Sequence, residues 1–299
     1  MKRLWLLLVL GLMLAAPARA NNYSVFCNRE PRLTAEQKNR LLLFADTVKS
    51  VLETSGHNMA VIARSGINLD RFGLRYSHAA LALRNNPNTP WSVRQLYFSC
   101  EEEIPRIYDQ GLAGFLIDQD NSRRPFISLV FLSEPEERAV EKAALDKPLT
   151  LGLLGKAYSA NAYAFSTLFQ NCNQWVVELI AHALGQLPDN GDLRADAQQW
   201  LAAEHYHPTD VTVRNPFIVM GGLMVPLLHS ADHPQQNIAA GHFLVSMPDS
   251  VDTFLHTHVP GTTRVELCMN ANQIVAHRGW EAIPAGCQAT PGDRVWPVS

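Results

Sequence analysis

Gln170-Asn171-Cys172-Asn173-Gln174-Trp175-Val176-Val177-Glu178-Leu179-Ile180 is the point where polar, turn-forming residues give way to an apolar run with helical spacing. Val176, Leu179, Ile180 and Ala183 fall on one face, and Gly185 followed by Pro188 stops the helix. Asn171 suits the N-cap, which puts Cys172 in the first helical turn. There the free backbone N–H groups and the positive end of the helix dipole favour a thiolate over a thiol. A cysteine so placed is a candidate nucleophile once a histidine is brought to it. The plain alternative is a small buried apolar residue starting a core helix. Taken alone, Cys172 reads first as the latter.

On either side the chain mixes helices and strands. Thr34-Ala35-Glu36-Gln37 opens a capped helix whose apolar positions run to Ser55-Gly56. Strands are expected at 59–64, 76–83, 93–98 and 127–132, with a turn-dense loop between Asn85 and Pro90. A helix follows Glu134-Pro135-Glu136-Glu137, and another spans about 195–204. From about Val211 the pattern is strands and turns, including 243–246, 264–269, 273–278 and an edge strand after Pro291-Gly292-Asp293. With no βαβ rhythm, the expected class is α+β around an antiparallel sheet. The expected division is 1–20, a core at 21–205 and a β-rich C-terminal part at 206–299 packed on it.

The division begins at residue 21 because Met1-Lys2-Arg3, an apolar run to Ala16 and Ala18-Arg19-Ala20 read as a secretory signal peptide cleaved after Ala20. The run is short for a transmembrane helix, and no later stretch qualifies. An exported protein is expected, periplasmic in a bacterium. The net charge of −3 and the lack of basic clusters argue against nucleic acid as a partner. Five cysteines in an oxidising compartment leave one unpaired. Cys268 and Cys287 lie close together in a strand-and-turn tail and are expected to pair. Cys27 and Cys100 then pair with each other, which leaves Cys172 free.

Of eleven histidines, His78 stands at the start of a strand, directly after Tyr76-Ser77. If Leu83 or Arg84 pairs with Val93, alternation puts His78, Ala80 and Ala82 on one face with Gln95, Tyr97 and Ser99. An imidazole facing the Cys172 helix start would take the thiol proton and form a thiolate–imidazolium pair. A polar side chain on the next strand would hold its tautomer. Gln95 is the first choice for that role and Tyr97 the second. A lone strand histidine with satisfied hydrogen bonds is the competing description.

The order of His78 in a Ser-His-Ala strand and Cys172 at an Asn-Cys helix start resembles the circularly permuted branch of the NlpC-type papain-like superfamily. That branch includes lecithin:retinol acyltransferase-like proteins. More closely, the chain resembles domain-of-unknown-function family 2145 of exported bacterial proteins. The matching stretches are Phe72-Gly73-Leu74-Arg75-Tyr76-Ser77-His78, Trp91-Ser92-Val93-Arg94-Gln95-Leu96-Tyr97, Tyr158-Ser159-Ala160-Asn161-Ala162-Tyr163, Gln170–Trp175 and His277-Arg278-Gly279-Trp280. The family carries no established activity. The superfamily resemblance implies a papain-like fold and amide, ester or thioester cleavage, or acyl transfer, through an acyl-enzyme on Cys172. The oxyanion would meet the Cys172 N–H, with Gln170 or Asn171 as a side-chain donor. A peptidoglycan peptide stem is the first substrate choice and a lipid acyl chain the second. The residues do not choose between them.

Two rival classes compete with a thiol enzyme. His229, Asp232 and His233 form a tight group, but Pro226 and Pro234 bracket it as a loop and no His-Glu-x-x-His is present, so no metal or other cofactor is expected. The other rival is a non-catalytic envelope-binding module that keeps the scaffold with an inert Cys172. Asp118-Gln119-Asp120-Asn121 lacks a calcium-loop ligand pattern and reads as a turn.

Overall fold

Met-Ala-Val-Ile-Ala-Arg, His-Ala-Ala-Leu-Ala-Leu and Phe-Ile-Ser-Leu-Val-Phe are buried almost without interruption. Strands apolar on both sides need cover on both faces of their sheet. The computed structural model describes residues 33–117, 125–222 and 225–298. The expected signal peptide, Cys27 and the 118–121 turn lie outside the described residues, and so does the Cys27–Cys100 pairing.

The elements are α1 (Ala35–Thr54), β1 (Met59–Arg64), β2 (His78–Leu83), β3 (Ser92–Ser99), β4 (Ile104–Gln110), α2 (Leu112–Ile117) and β5 (Phe126–Phe131). Then come α3 (Glu136–Leu145), α4 (Lys147–Gly152), α5 (Cys172–Leu184), α6 (Leu193–Ala203), β6 (Thr209–Thr212) and α7 (Pro216–Gly222). The chain closes with α8 (Gln235–Ala240), β7 (His242–Val245), α9 (Pro248–His258), β8 (Thr263–Met269), β9 (Gln273–Arg278) and β10 (Arg294–Pro297). Eight strands form one antiparallel sheet in the order β10-β9-β8-β5-β1-β2-β3-β4, while β6 and β7 pair separately. The class is α+β, with helices on both faces.

One face, with Ala60, Ile62, Ala80, Ala82 and Leu129, packs on Phe44 and Val48 of α1 and Phe115 of α2. The other, with Val61, Ala79, Leu81 and Val130, packs on Val140 of α3, Trp175 and Leu179 of α5, and Leu255 of α9. Trp175, Val176, Leu179 and Ile180 are fully buried, each contributing on the order of 2 kcal/mol of hydrophobic stabilisation. Thr34 closes a capping box with Gln37 at the start of α1.

The C-terminal part differs from the expectation of a layer laid on a core ending at residue 205. β8 pairs with β5 from Phe126↔Cys268 to Phe131↔Thr263, so β8, β9 and β10 complete the same sheet. Nor is it only strands and turns. Pro248 at the first helical position, with Asp249 in the first turn, starts α9, a start signal the strand-like flanks obscure. The Cys268–Cys287 disulfide is present. Cys100 is disulfide-bonded, and Cys172 is the free cysteine among the described residues. No helix among the described residues is long and apolar enough to cross a membrane.

Candidate active site

The site lies where the sheet opens. β2 and β3 pair only at Leu81↔Arg94, Ala82↔Val93 and Leu83↔Ser92, slipped from the expected pairing of Leu83 or Arg84 with Val93. β3 meanwhile runs on with β4 as far as Ser99↔Ile104. The N–H of Ala79, directed away from β1, therefore lacks a strand partner. It donates instead to Asn173 Oδ1 at 2.7 Å, so the start of α5 is wedged into the gap. The Asn173 amide also donates to Ser246 O at 3.1 Å and Ser77 O at 3.4 Å.

Asn171 caps α5 as its sequence suggests, with Oδ1 accepting from Gln174 N at 2.7 Å. Such a cap is worth about 1 kcal/mol. Cys172 opens the helix, only 6% exposed, and its thiol donates to Asn173 Oδ1 at 3.5 Å. Burial pushes this thiol up to about 11, against Arg64 and the backbone N–H groups of Asn173, Cys172 and Ala79, which pull it down.

His78 projects from the α1/α2 face, its ring 5.8 Å from that of Phe115, whereas α5 packs on the opposite face. At the mouth of the opening both side chains line one cavity of about 760 Å³. His78 Nε2 hydrogen-bonds Gln95 Oε1 at 2.6 Å. Gln95 Nε2 in turn donates to Gln110 Oε1 at 2.9 Å, which turns the Gln95 oxygen toward the ring. Nε2 must then carry the proton, leaving Nδ1 with the lone pair. Tyr97, the second choice, lies half-exposed with its ring 6.0 Å from that of Tyr108.

Burial, and then the Arg64 charge, lower His78 to about 3, with the Gln95 hydrogen bond pulling the other way. The expected thiolate–imidazolium pair is thus replaced at rest by a neutral thiol and a neutral imidazole, because burial penalises both charges.

Gln170 and Asn171 do not offer oxyanion donors. The Gln170 amide donates to Leu153 O at 3.0 Å and Glu178 Oε2 at 2.5 Å, and that of Asn171 to Ala160 O and Ser246 O. The donors left at the sulfur are backbone N–H groups. His229, Asp232 and His233 pin a loop: His229 stacks on Phe169 at 4.4 Å, Asp232 accepts from Tyr163 N and His233 meets Asn161 O. They form no metal cluster, nor do any other described residues.

Three residues escape a reading of motifs alone. Arg64 pairs across the strands with His78 and lays its guanidinium 4.9 Å from the Phe115 ring centroid. Its signal is a charge ending an otherwise apolar strand. Asn173 hides beside the more obvious cap, and Gln110 lies far away in sequence. Tyr158 lines the cavity beside the thiol. From residue 51 to 255 the chain matches the family described as an uncharacterised protein conserved in bacteria, domain-of-unknown-function family 2145, and belongs to it. No curated protein and no solved structure matches the chain.

Proposed function

We propose that this member of family 2145 is a cysteine-dependent hydrolase or acyltransferase acting on an amide, ester or thioester of the cell envelope. The observation that carries the reading is that Cys172, with backbone N–H groups around its sulfur, and His78, held from behind by Gln95 and Gln110, line one cavity. Cys172 is the nucleophile and His78 the general base. Gln95 is the positioning residue that fixes the imidazole tautomer. Because thiol and imidazole are neutral at rest, the proton moves as the sulfur attacks. The S–C bond forms, the S–H proton passes to His78, and the backbone N–H groups at the start of α5 receive the carbonyl oxygen's charge. His78 then returns the proton to the leaving group as its bond to carbon breaks. The His-before-Cys order of permuted papain-like hydrolases is consistent with this assignment. The Cys268–Cys287 disulfide and the N-terminal signal pattern support export to the periplasm.

The test is stoichiometric acylation by p-nitrophenyl butyrate. The expected result is one acyl group on Cys172, formed at least about 100-fold more slowly in His78→Ala. Acylation indifferent to His78, or absent, overturns the proposal. A non-catalytic binding module is the second reading, and the observation favouring it is the thiol pushed up to about 11.

A further inference from the structure

The cavity holding Cys172 and His78 is lined mainly by apolar side chains. Much of its wall is hydrocarbon, with Leu69, Leu74, Val213, Val225 and Phe243 among the lining residues. At about 760 Å³ it falls within the range of about 300–1,000 Å³ usual for small-molecule sites. A peptide stem of alternating amides and charges would leave polar groups unpaired against such a wall. A hydrocarbon chain would not.

The mouth carries the complementary signs. A smaller depression shares Arg71, Phe72, Val213 and Ile218 with the chamber and adds Arg214. Arg71 and Arg214 are both exposed and form no ion pair among the described residues. The one carboxylate on that depression, Asp210, is already bound by His242 at 2.7 Å. Ile218, which lines both depressions, is 45% exposed, its chain neighbour Phe217 is 76% exposed, and Ile67 on the chamber's wall is 55% exposed. Large apolar side chains held in water next to cations that no carboxylate neutralises suit a surface that meets a phospholipid interface.

We infer that the chamber takes one long acyl chain of a membrane phospholipid, with Phe217, Ile218 and Ile67 resting in the bilayer surface and Arg71 and Arg214 holding the lipid phosphate. This deepens the thiol acyl-chemistry reading by naming its substrate class, although binding itself does not require a reactive Cys172.

The test uses the protein as the exporting cell processes it, in flotation with dioleoylphosphatidylglycerol and dioleoylphosphatidylcholine vesicles and in titration with a dansyl-labelled long-chain fatty acid. The expected result is flotation that is stronger on the anionic vesicles. A Phe217→Glu/Ile218→Glu variant should lose flotation about tenfold while keeping its melting temperature. Arg71→Glu/Arg214→Glu should lose the anionic preference, and Val225→Trp should lose fatty-acid binding about tenfold. Acylation without flotation or fatty-acid binding overturns this inference and leaves the thiol reading standing. Flotation and fatty-acid binding without acylation do the reverse. Fatty-acid binding unmoved by Val225→Trp, or flotation indifferent to both surface pairs, also overturns it.

Discussion

Helix α5 carries two buried polar constellations, and they differ in where their hydrogen bonds end. At the first turn, Cys172 sits among backbone N–H groups that open on a cavity shared with His78. Further along, Glu178 is fully buried and each of its oxygens is taken. Oε2 accepts from Gln170 at 2.5 Å and Arg194 Nε at 2.9 Å, and Oε1 from Gln198 at 2.6 Å and Arg194 Nη2 at 3.1 Å. Arg194 goes on to donate to Thr167 O and Phe169 O, holding the segment that leads into Cys172. A closed network of this kind stabilises one conformation. Donors facing a chamber are arranged for something that arrives.

The sharpest way to break this contrast is Glu178→Ala. It strands the Arg194 charge in the interior, and the expected loss is about 3–5 kcal/mol in urea unfolding. The folded fraction should still acylate Cys172 at nearly the original rate. A loss below about 1 kcal/mol would mean the network is not closed. Next comes His78→Ala, with the reverse signature: acylation slowed at least about 100-fold, or roughly 2.7 kcal/mol of transition-state stabilisation, and little change in stability at neutral pH.

The third prediction concerns acid. His78 is lowered to about 3 in the folded protein, against about 6.5 in an unfolded chain. Between those values the unfolded state binds the extra proton, so stability rises with pH. It is fully present above about pH 6.5 and is lost as pH falls toward 3. Chemical unfolding of the wild type across that window should show a loss of roughly 2–4 kcal/mol from this group, which His78→Gln removes. An identical acid limb in the variant would place the ring in a less buried setting. The smallest effect is expected from Gln95→Leu, which frees the imidazole tautomer. About a tenfold slower acylation is expected, with a changed rate–pH profile and unchanged unfolding. A fall as large as that of His78→Ala would make Gln95 more than a positioning residue.

Much of this was legible in the chain. The Asn171 cap, the apolar face of α5, the strands around His78 and the Cys268–Cys287 pair follow from local periodicity and turn chemistry. Gln95 followed from alternation once β2 and β3 were taken as neighbours, because the observed Ala82↔Val93 pair lies two residues from the expected Arg84↔Val93, and a slip of two preserves the face. The reading failed where partners are distant. Gln170 looked like a free amide beside the cysteine, yet Glu178, Gly155 and Leu153 consume it. A C-terminal stretch that reads as a separate β-rich part supplies three strands to the main sheet.

The sequence by itself therefore determined the elements, the α+β class and the residue types at the candidate site, because those depend on contacts within a few residues. Only the tertiary structure decided the protonation and surroundings of that site. Arg64, Gln110 and Ala79 come from three strands, and a thiol's pKa and a cavity's polarity depend on everything within a few ångströms in space. The opening between β2 and β3 belongs to the same class, since it exists only where a helix start from nearly a hundred residues later takes the place of a strand.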